Sequence, residues 1–245
     1  MQKYIAVVNP KMDDDQISKL IAQDIAGAIF SISHQNYPLA AKLIHQVKKL
    51  SRKHNRPISL IQDATDMLDP LDLEFGMRNG IDWVVLADPK YVKDAWKLNK
   101  KIPIIWKGKN IPKNVKVDSL MTESIADPDA VVEGWGQIKH QISPHVKQKV
   151  LESIKHISDH AAASAIAVSD LEHAKTLSAM RPKQKIVYAP KNPEQAAKAS
   201  IYWGVHPMFS HNNLHSHLKN RQLLKAGERY LDARNVKHVS INLVS

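Results

Sequence analysis

Short apolar, β-branched runs alternate along the chain with amphipathic segments. The runs at 4–8, 28–32, 58–62, 83–87, 103–106, 115–119 and 130–132 predict strands, as do 165–168, 186–189, 205–209 and 239–243. Between 38 and 52, Leu39, Leu43, Ile44, Val47 and Leu50 recur at helical spacing. Asp69-Pro70 is a cap followed by proline at the first helical position, and that helix ends near Gly80. Asp88-Pro89 and Asn192-Pro193 repeat the device, and Ser169-Asp170-Leu171-Glu172 has the spacing of a capping box. Repeated strand–helix alternation argues an α/β fold with a parallel sheet and helical crossovers. The pattern changes over 134–144, before a long helix at 146–160. That places a boundary between a domain at 1–141 and one at 142–245, the second with four strands and three helices between them.

Composition removes several classes of chemistry. Of 245 residues only 8 are glycine, and no G-x-G-x-x-G or G-x-x-x-x-G-K-[ST] can be built from them. Nucleotide-cradling loops of either type are therefore excluded. There is no cysteine, hence no disulfide, thiolate metal site or thiol nucleophile, which fits a cytoplasmic location. No apolar run approaches the ~18 residues of a membrane helix, so no membrane partner is expected. The net charge is +11 and unevenly spread. Residues 1–141 carry 20 Lys/Arg against 17 Asp/Glu, and residues 142–245 carry 15 against 7. A basic balance suits anionic metabolites, nucleic acid or an acidic surface. Nucleic acid ranks last, because no basic run is interleaved with aromatics as base stacking requires.

The order of motifs resembles pyruvate kinase along nearly the whole chain. QKYIAVVNP is similar to that family's first barrel strand, TKIVCTIGP, and AGAIFSISHQNY to ARLNFSHG. RPISLIQDATD stands where the family has KPVAILLDTKGPE, DLEFGMRNGIDWVVLADPK where it has DLEFGVEQGVDFIAASFVR, and IPIIWKGKN where it has IKIIAKIEN. KNVKVDSLMTESI resembles KPVICATQMLESM, and PDAVVEGWGQIKHQISPHVKQKVLESI resembles the last barrel strand and the start of the C-terminal domain. The closest match in wording is LSAMRPKQKIVYAPKNPEQAAKASIYWGVHPMF, against RPNAPIIAVTPNEKTARRLALYWGVYPVL. The resemblance implies an incomplete TIM-type (β/α) barrel followed by a pyruvate kinase C-terminal-like α/β domain. Two family elements are missing: the lid domain after the third strand and the RGDLG segment.

The resemblance also assigns roles. Lys107 stands at the family's catalytic lysine, and Ser119 replaces the threonine of the seventh family strand. Ser33 and Asp63 stand at vestigial monovalent-cation ligands, so K⁺ remains an admissible ion. Ile29 replaces the phosphate-facing arginine, Ser31 an asparagine ligand and Ala64 a threonine, while His34 is retained. Lys109 stands where the family holds Mg²⁺ with glutamate, and the second carboxylate went with RGDLG. Mg²⁺ needs one or two carboxylates beside substrate phosphates, so its binding is expected to be lost. Lys107 and Lys109, on one face of a strand end, could instead bind an anion. At the family's sugar-phosphate effector loop this chain has Ser169-Asp170-Leu171-Glu172-His173, whose acids would repel the ligand.

Three further expectations concern space and partners. Only eight residues separate Trp106 from Val115, too few for a helical crossover. The chain must return extended, or the 115–119 strand must pair antiparallel. Either way an open barrel edge is expected, covered by loops, by Trp106 and Trp135 at the mouth, or by another chain. The pairs His156/His160 and His211/His215 have i, i+4 spacing but no third ligand, so metal binding is not expected. The resulting expectation is a pyruvate kinase-like pseudoenzyme, a glycolytic kinase fold that binds a small anionic metabolite or assembles. Its partners would be copies of itself, through the C-terminal domain, or a full-length pyruvate kinase. The alternative is an altered enzyme, a phosphotransferase or lyase, using Lys107 on a phosphorylated or keto-acid substrate.

Overall fold

In a computed structural model the described residues are 3–108, 111–113, 115–124, 135–140, 148–210, 212–236 and 238–244, without the side chains of 122–124, 135–140, 148 and 149. The chain divides into two compact units, Gln2–Gln141 and Ile142–Ser245.

The first unit runs β1 (Lys3–Val7), α1 (Asp14–Ala22), β2 (Gly27–Ser31), a 3-10 turn (His34–Asn36), α2 (Tyr37–Lys53), β3 (Ser59–Asp63), α3 (Pro70–Arg78) and β4 (Trp83–Leu86). It continues with α4 (Pro89–Leu98), β5 (Ile104–Lys107), β6 (Ser119–Ser124) and β7 (Trp135–His140). Strands β1 to β6 run parallel in sequence order. β7 is antiparallel to both β6 and β1, which closes the ring. The helix starts follow their caps: Asp69 Oδ1 accepts from the Leu71 N–H at 2.8 Å, and Asp88 Oδ1 from the Lys90 N–H at 2.9 Å. In each case proline follows at a position whose N–H would have no helical partner.

Strand parity separates an inner from an outer face. Ala6, Val8, Ala28, Phe30, Ile32 and Leu60 pack with Ile17, Leu20 and Ile21 of α1 and Leu43, Ile44 and Val47 of α2, and so point outward. The alternate positions face inward. A Cβ on Gly27 would lie 2.6 Å from Ile61 Cδ1 and 2.9 Å from Ile5 Cγ2, so the interior is filled at that level. Trp83, level with Ile61, is fully buried there.

Two expectations are corrected here. The sixth strand does not occupy 115–119 but opens at Ser119. Asp118 fixes that start: its N–H donates to the Ile104 carbonyl at 2.9 Å, and its Oδ2 accepts from the Ile104 N–H at 2.9 Å. Val115 and Val117, expected in the strand, instead pack on the outer face against the cluster holding Trp106. Of the two returns considered, the observed one is parallel, with no helix among its described residues. The expected open edge is also absent, because β7 pairs both flanks of the parallel sheet. The strand expected at 130–132 lies outside the described residues.

The second unit contains α5 (Gln148–His160), β8 (Ala165–Val168), α6 (Leu171–Met180), β9 (Lys185–Tyr188), α7 (Glu194–Ala199), β10 (Val205–Pro207), α8 (Leu214–Asn220), β11 (Arg229–Asp232) and β12 (Ser240–Leu243). The sheet order is β10-β9-β8-β11-β12, parallel except for β12. One core lies on the α8 face, where Leu214 and Leu218 meet Ala165, Val187 and Tyr230. β11 was not expected: its sequence, RYLD, has only two apolar residues between charged ends. The capping box at 169–172 is also corrected. Asp170 is the N-cap of α6, and the Ser169 hydroxyl donates to the Arg234 carbonyl at 2.7 Å instead.

Helix α3 sits close enough to β3 that a Cβ on Gly76 would lie 2.2 Å from Gln62 Oε1 and 3.2 Å from Ile81 Cγ1. Gln62 is buried and its Oε1 has no hydrogen-bond partner among the described residues. Gly76→Ala should therefore destabilise by about 1–3 kcal/mol through overpacking, despite a helix-propensity gain of about 1 kcal/mol. Adding Gln62→Ala should recover part of that loss. Urea midpoints of the two single variants and the double variant check this; strictly additive effects would show that the two positions are not coupled.

Candidate functional site at the barrel mouth

In parallel barrels of alternating strands and helices the C-terminal strand ends form the mouth. Here the inward positions at that end include Val7 of β1, Ser31 of β2, Asp63 of β3 and Lys107 of β5. Ser31 and Asp63 are register partners, and Asp63 is level with Val85 of β4. Lys107 pairs with Met121 of β6, and the inward neighbour beneath it, Ile105, pairs with Ser119. Ile61, Trp83 and Ile105 are buried beneath the mouth, Val85 and Met121 are buried at the level of Asp63 and Lys107, and the hydroxyl-bearing Ser59 and Ser119 are buried among the inward positions further down. A cation and a carboxylate thus stand at the rim of a largely apolar, filled interior. Such a site offers an anionic ligand one fixed positive charge, strengthened by the low polarity beneath it.

The other residues singled out from sequence distribute differently. Asp63 is half-buried, and its Oδ1 accepts from both the N–H (3.0 Å) and the hydroxyl (2.8 Å) of Thr65. Ser33 begins the 3-10 turn beyond β2, and its N–H donates to Asn36 Oδ1 at 3.0 Å. Ser119 is fully buried at the start of β6, two residues below the level of Lys107, or about 6.6 Å along the strand. It therefore lines the interior and not the rim, because β6 begins where the sequence places a strand end. Lys109 lies outside the described residues. Trp106 points outward, buried with Leu86, Ile104, Ile111, Val115, Val117 and Leu120 on the flank left without a crossover helix. It fills the outside of the barrel and not its mouth, a correction to its expected position. The side chain of Trp135 is outside the described residues.

Among the described residues no group of three or more His, Asp or Glu side chains is placed to hold a metal ion. His160 Nδ1 donates to the His156 carbonyl at 2.9 Å, and the two rings stand 4.6 Å apart. His211 lies outside the described residues. At the loop aligned with the effector site, Asp170 Oδ1 accepts from the N–H groups of Glu172 (2.8 Å) and His173 (3.2 Å). The N-terminus of α6 is thus served by the chain's own carboxylate. Among the described residues no helix is long and apolar enough to cross a membrane.

Elsewhere, hydrogen bonding to Asp72 (2.7 Å) and then burial push the Tyr37 hydroxyl up to about 12, and the Tyr37 ring stacks on Phe75 with centroids 4.0 Å apart. This contact ties the first turns of α2 and α3 together beside the mouth. Neither the family models nor the curated proteins give a match to this chain.

His217 of α8 is buried, and desolvation, then the charge of Arg221, pulls its pKa from 6.5 down to about 4. The folded state thus holds it neutral while the unfolded chain takes up a proton. Stability from this group is present above about pH 6.5 and is lost as pH falls toward about 4. The loss should be on the order of 1–3 kcal/mol. Thermal melts from pH 7 to pH 4 should show a shallower decline for His217→Leu than for the parent chain; parallel declines would exclude this residue as a source.

Proposed function

We propose that this chain is a pyruvate kinase-like protein with impaired phosphoryl transfer, acting by binding a small anionic ligand at the barrel mouth and by self-assembly. The observation that carries the binding part is the inward position of half-buried Lys107 at the C-terminal end of β5, with buried Ile105 beneath it and buried Met121 beside it. A lysine held this way supplies a fixed charge to a phosphate or carboxylate. It does not replace a divalent ion, which would bridge phosphates and take up several oxygen ligands. The substitution of Lys109 for a metal-holding glutamate removes one ligand and adds a charge of the wrong sign.

The assembly part rests on β12. It is the outer strand of its sheet, and Ile241 and Leu243, two residues apart on one face, are 50 % and 60 % exposed. An open edge with apolar side chains is a template for pairing with a second copy. Assembly through the closed barrel finds no such support, since that ring presents no unpaired flank.

With phosphoenolpyruvate, ADP and Mg²⁺ in a coupled assay, pyruvate formation should stay at background. Calorimetric titration with phosphoenolpyruvate should detect binding, weakened about tenfold or more in Lys107→Ala. Robust Mg²⁺-dependent turnover lost in Lys107→Ala would overturn the impaired reading and favour the altered-enzyme reading.

Light scattering should give a mass above that of one chain, falling to the single-chain mass in Ile241→Lys. A parent chain of single-chain mass would overturn self-assembly.

A further inference from the structure

Helix α2 is the longest helix among the described residues, and its charge pattern differs from that of its neighbours. Helices α3, α4, α5 and α6 each carry an intrahelical ion pair: Arg78–Glu74, Lys97–Asp94, Lys155–Asp159 and Lys175–Glu172. Over its 17 residues, YPLAAKLIHQVKKLSRK, α2 has five Lys/Arg and no acid. Its buried face is set by Ala40, Leu43, Ile44, Val47 and Leu50. Lys42, His45, Lys49, Arg52 and Lys53 are all exposed. At 100° per residue they fall within an arc of about 100° opposite that face, over a length of about 16 Å. None of the five makes a side-chain hydrogen bond or ion pair among the described residues. The fifth Lys/Arg of the helix, Lys48, is turned aside, donating to the Asn79 carbonyl at 2.6 Å.

This pattern works against the helix itself. Like charges at i, i+4, such as Lys49 and Lys53, destabilise a helix by a few tenths of a kcal/mol per pair, and one glutamate would relieve them. Arg52 and Lys53 complement the helix C-terminus, but Lys42 and Lys49 lie too far from that end to do so. A rigid row of unpaired cations is complementary to a regular row of anions.

We propose that the solvent face of α2 binds double-stranded nucleic acid through its phosphate backbone. A duplex presents one phosphate per strand every ~3.4 Å of axis, so the stripe spans about five. The face offers no stacking platform: Tyr37 is stacked on Phe75, and the one exposed aromatic among the large hydrophobic side chains described is Tyr4 of β1. Contact with the backbone, without base recognition, is what remains. A lipid surface fits less well, because the apolar face that would enter it is buried against the barrel.

The test uses the full chain and a labelled duplex of about 20 base pairs, titrated between about 50 and 200 mM salt. Four Lys/Arg contacts predict a slope of about −3.6 in log K against log salt, hence a loss of about 10²-fold across that range. K42Q/K49Q/R52Q/K53Q should weaken binding at least about tenfold at the low-salt end and remove most of the slope. K93Q/K97Q/K100Q/K101Q, with the same change in net charge on and after α4, should bind within about threefold of the parent. Should the first variant unfold by circular dichroism, K42Q/K49Q is read in its place, with the slope expected to flatten by about 1.8. No binding by the parent at low salt, equal losses in the two quadruple variants, or tighter retention by phosphatidylserine vesicles or single strands than by the duplex would each overturn the proposal.

Discussion

A curled parallel sheet has two flanks whose backbone groups need partners, and the barrel depends on how β7 supplies them. Running against the six parallel strands, β7 pairs with β6 on one side and β1 on the other. An antiparallel strand can do this after a short connection, whereas another parallel strand would need a full crossover. Closure leaves no barrel edge exposed and fixes which side chains face inward. The inward row then has little freedom. Trp83 fills the interior at the level of Ile61, and Gly27 is bare because Ile5 and Ile61 already occupy the place of a side chain.

That closed ring decides what the rim can offer. Ile61, Trp83 and Ile105 are buried below the rim and Val85 and Met121 are buried at its level, while Asp63 and Lys107 are the half-buried charged groups at the last inward positions of β3 and β5. The flank outside β5 shows the same economy of space. Among the described residues no helix follows β5 before β6, and the outer face is covered by Trp106 together with Ile111, Val115 and Val117 from the returning chain. In the second unit the α6 N-terminus is filled by Asp170, so the place where an anion would be drawn is served by the protein itself.

Charge is arranged by a different rule from packing. Four helices balance their exposed faces with ion pairs one turn apart, which contribute little to stability but keep the surface mixed in sign. α2 keeps a single sign over its whole exposed face, held rigid by an apolar face locked into the barrel wall. The overall charge of +11 does not reveal this, because the basic excess is larger in residues 142–245 than in the half containing α2.

The sequence by itself determined the elements with local causes. The apolar period of α2, the Asp-Pro starts of α3 and α4, and the strands ending at Asp63 and Lys107 depend on neighbours a few residues away, and so are legible along the chain. Strand alternation puts Lys107 at the end of its strand on the face opposite Trp106, but only the packing of Trp106 on the outer flank shows that this face is the inward one. What only the tertiary structure decided rests on long-range pairing. Asp118 sets the start of β6 by bonding Ile104, fourteen residues earlier, which moves Ser119 from the rim to the buried interior. β11 exists because β8 and β12 pair with it, although its own four residues carry little strand pattern. The basic stripe on α2 needed both kinds of information. Its lysines are plain in the sequence, but only burial of the opposite face against the barrel fixes them as one exposed row.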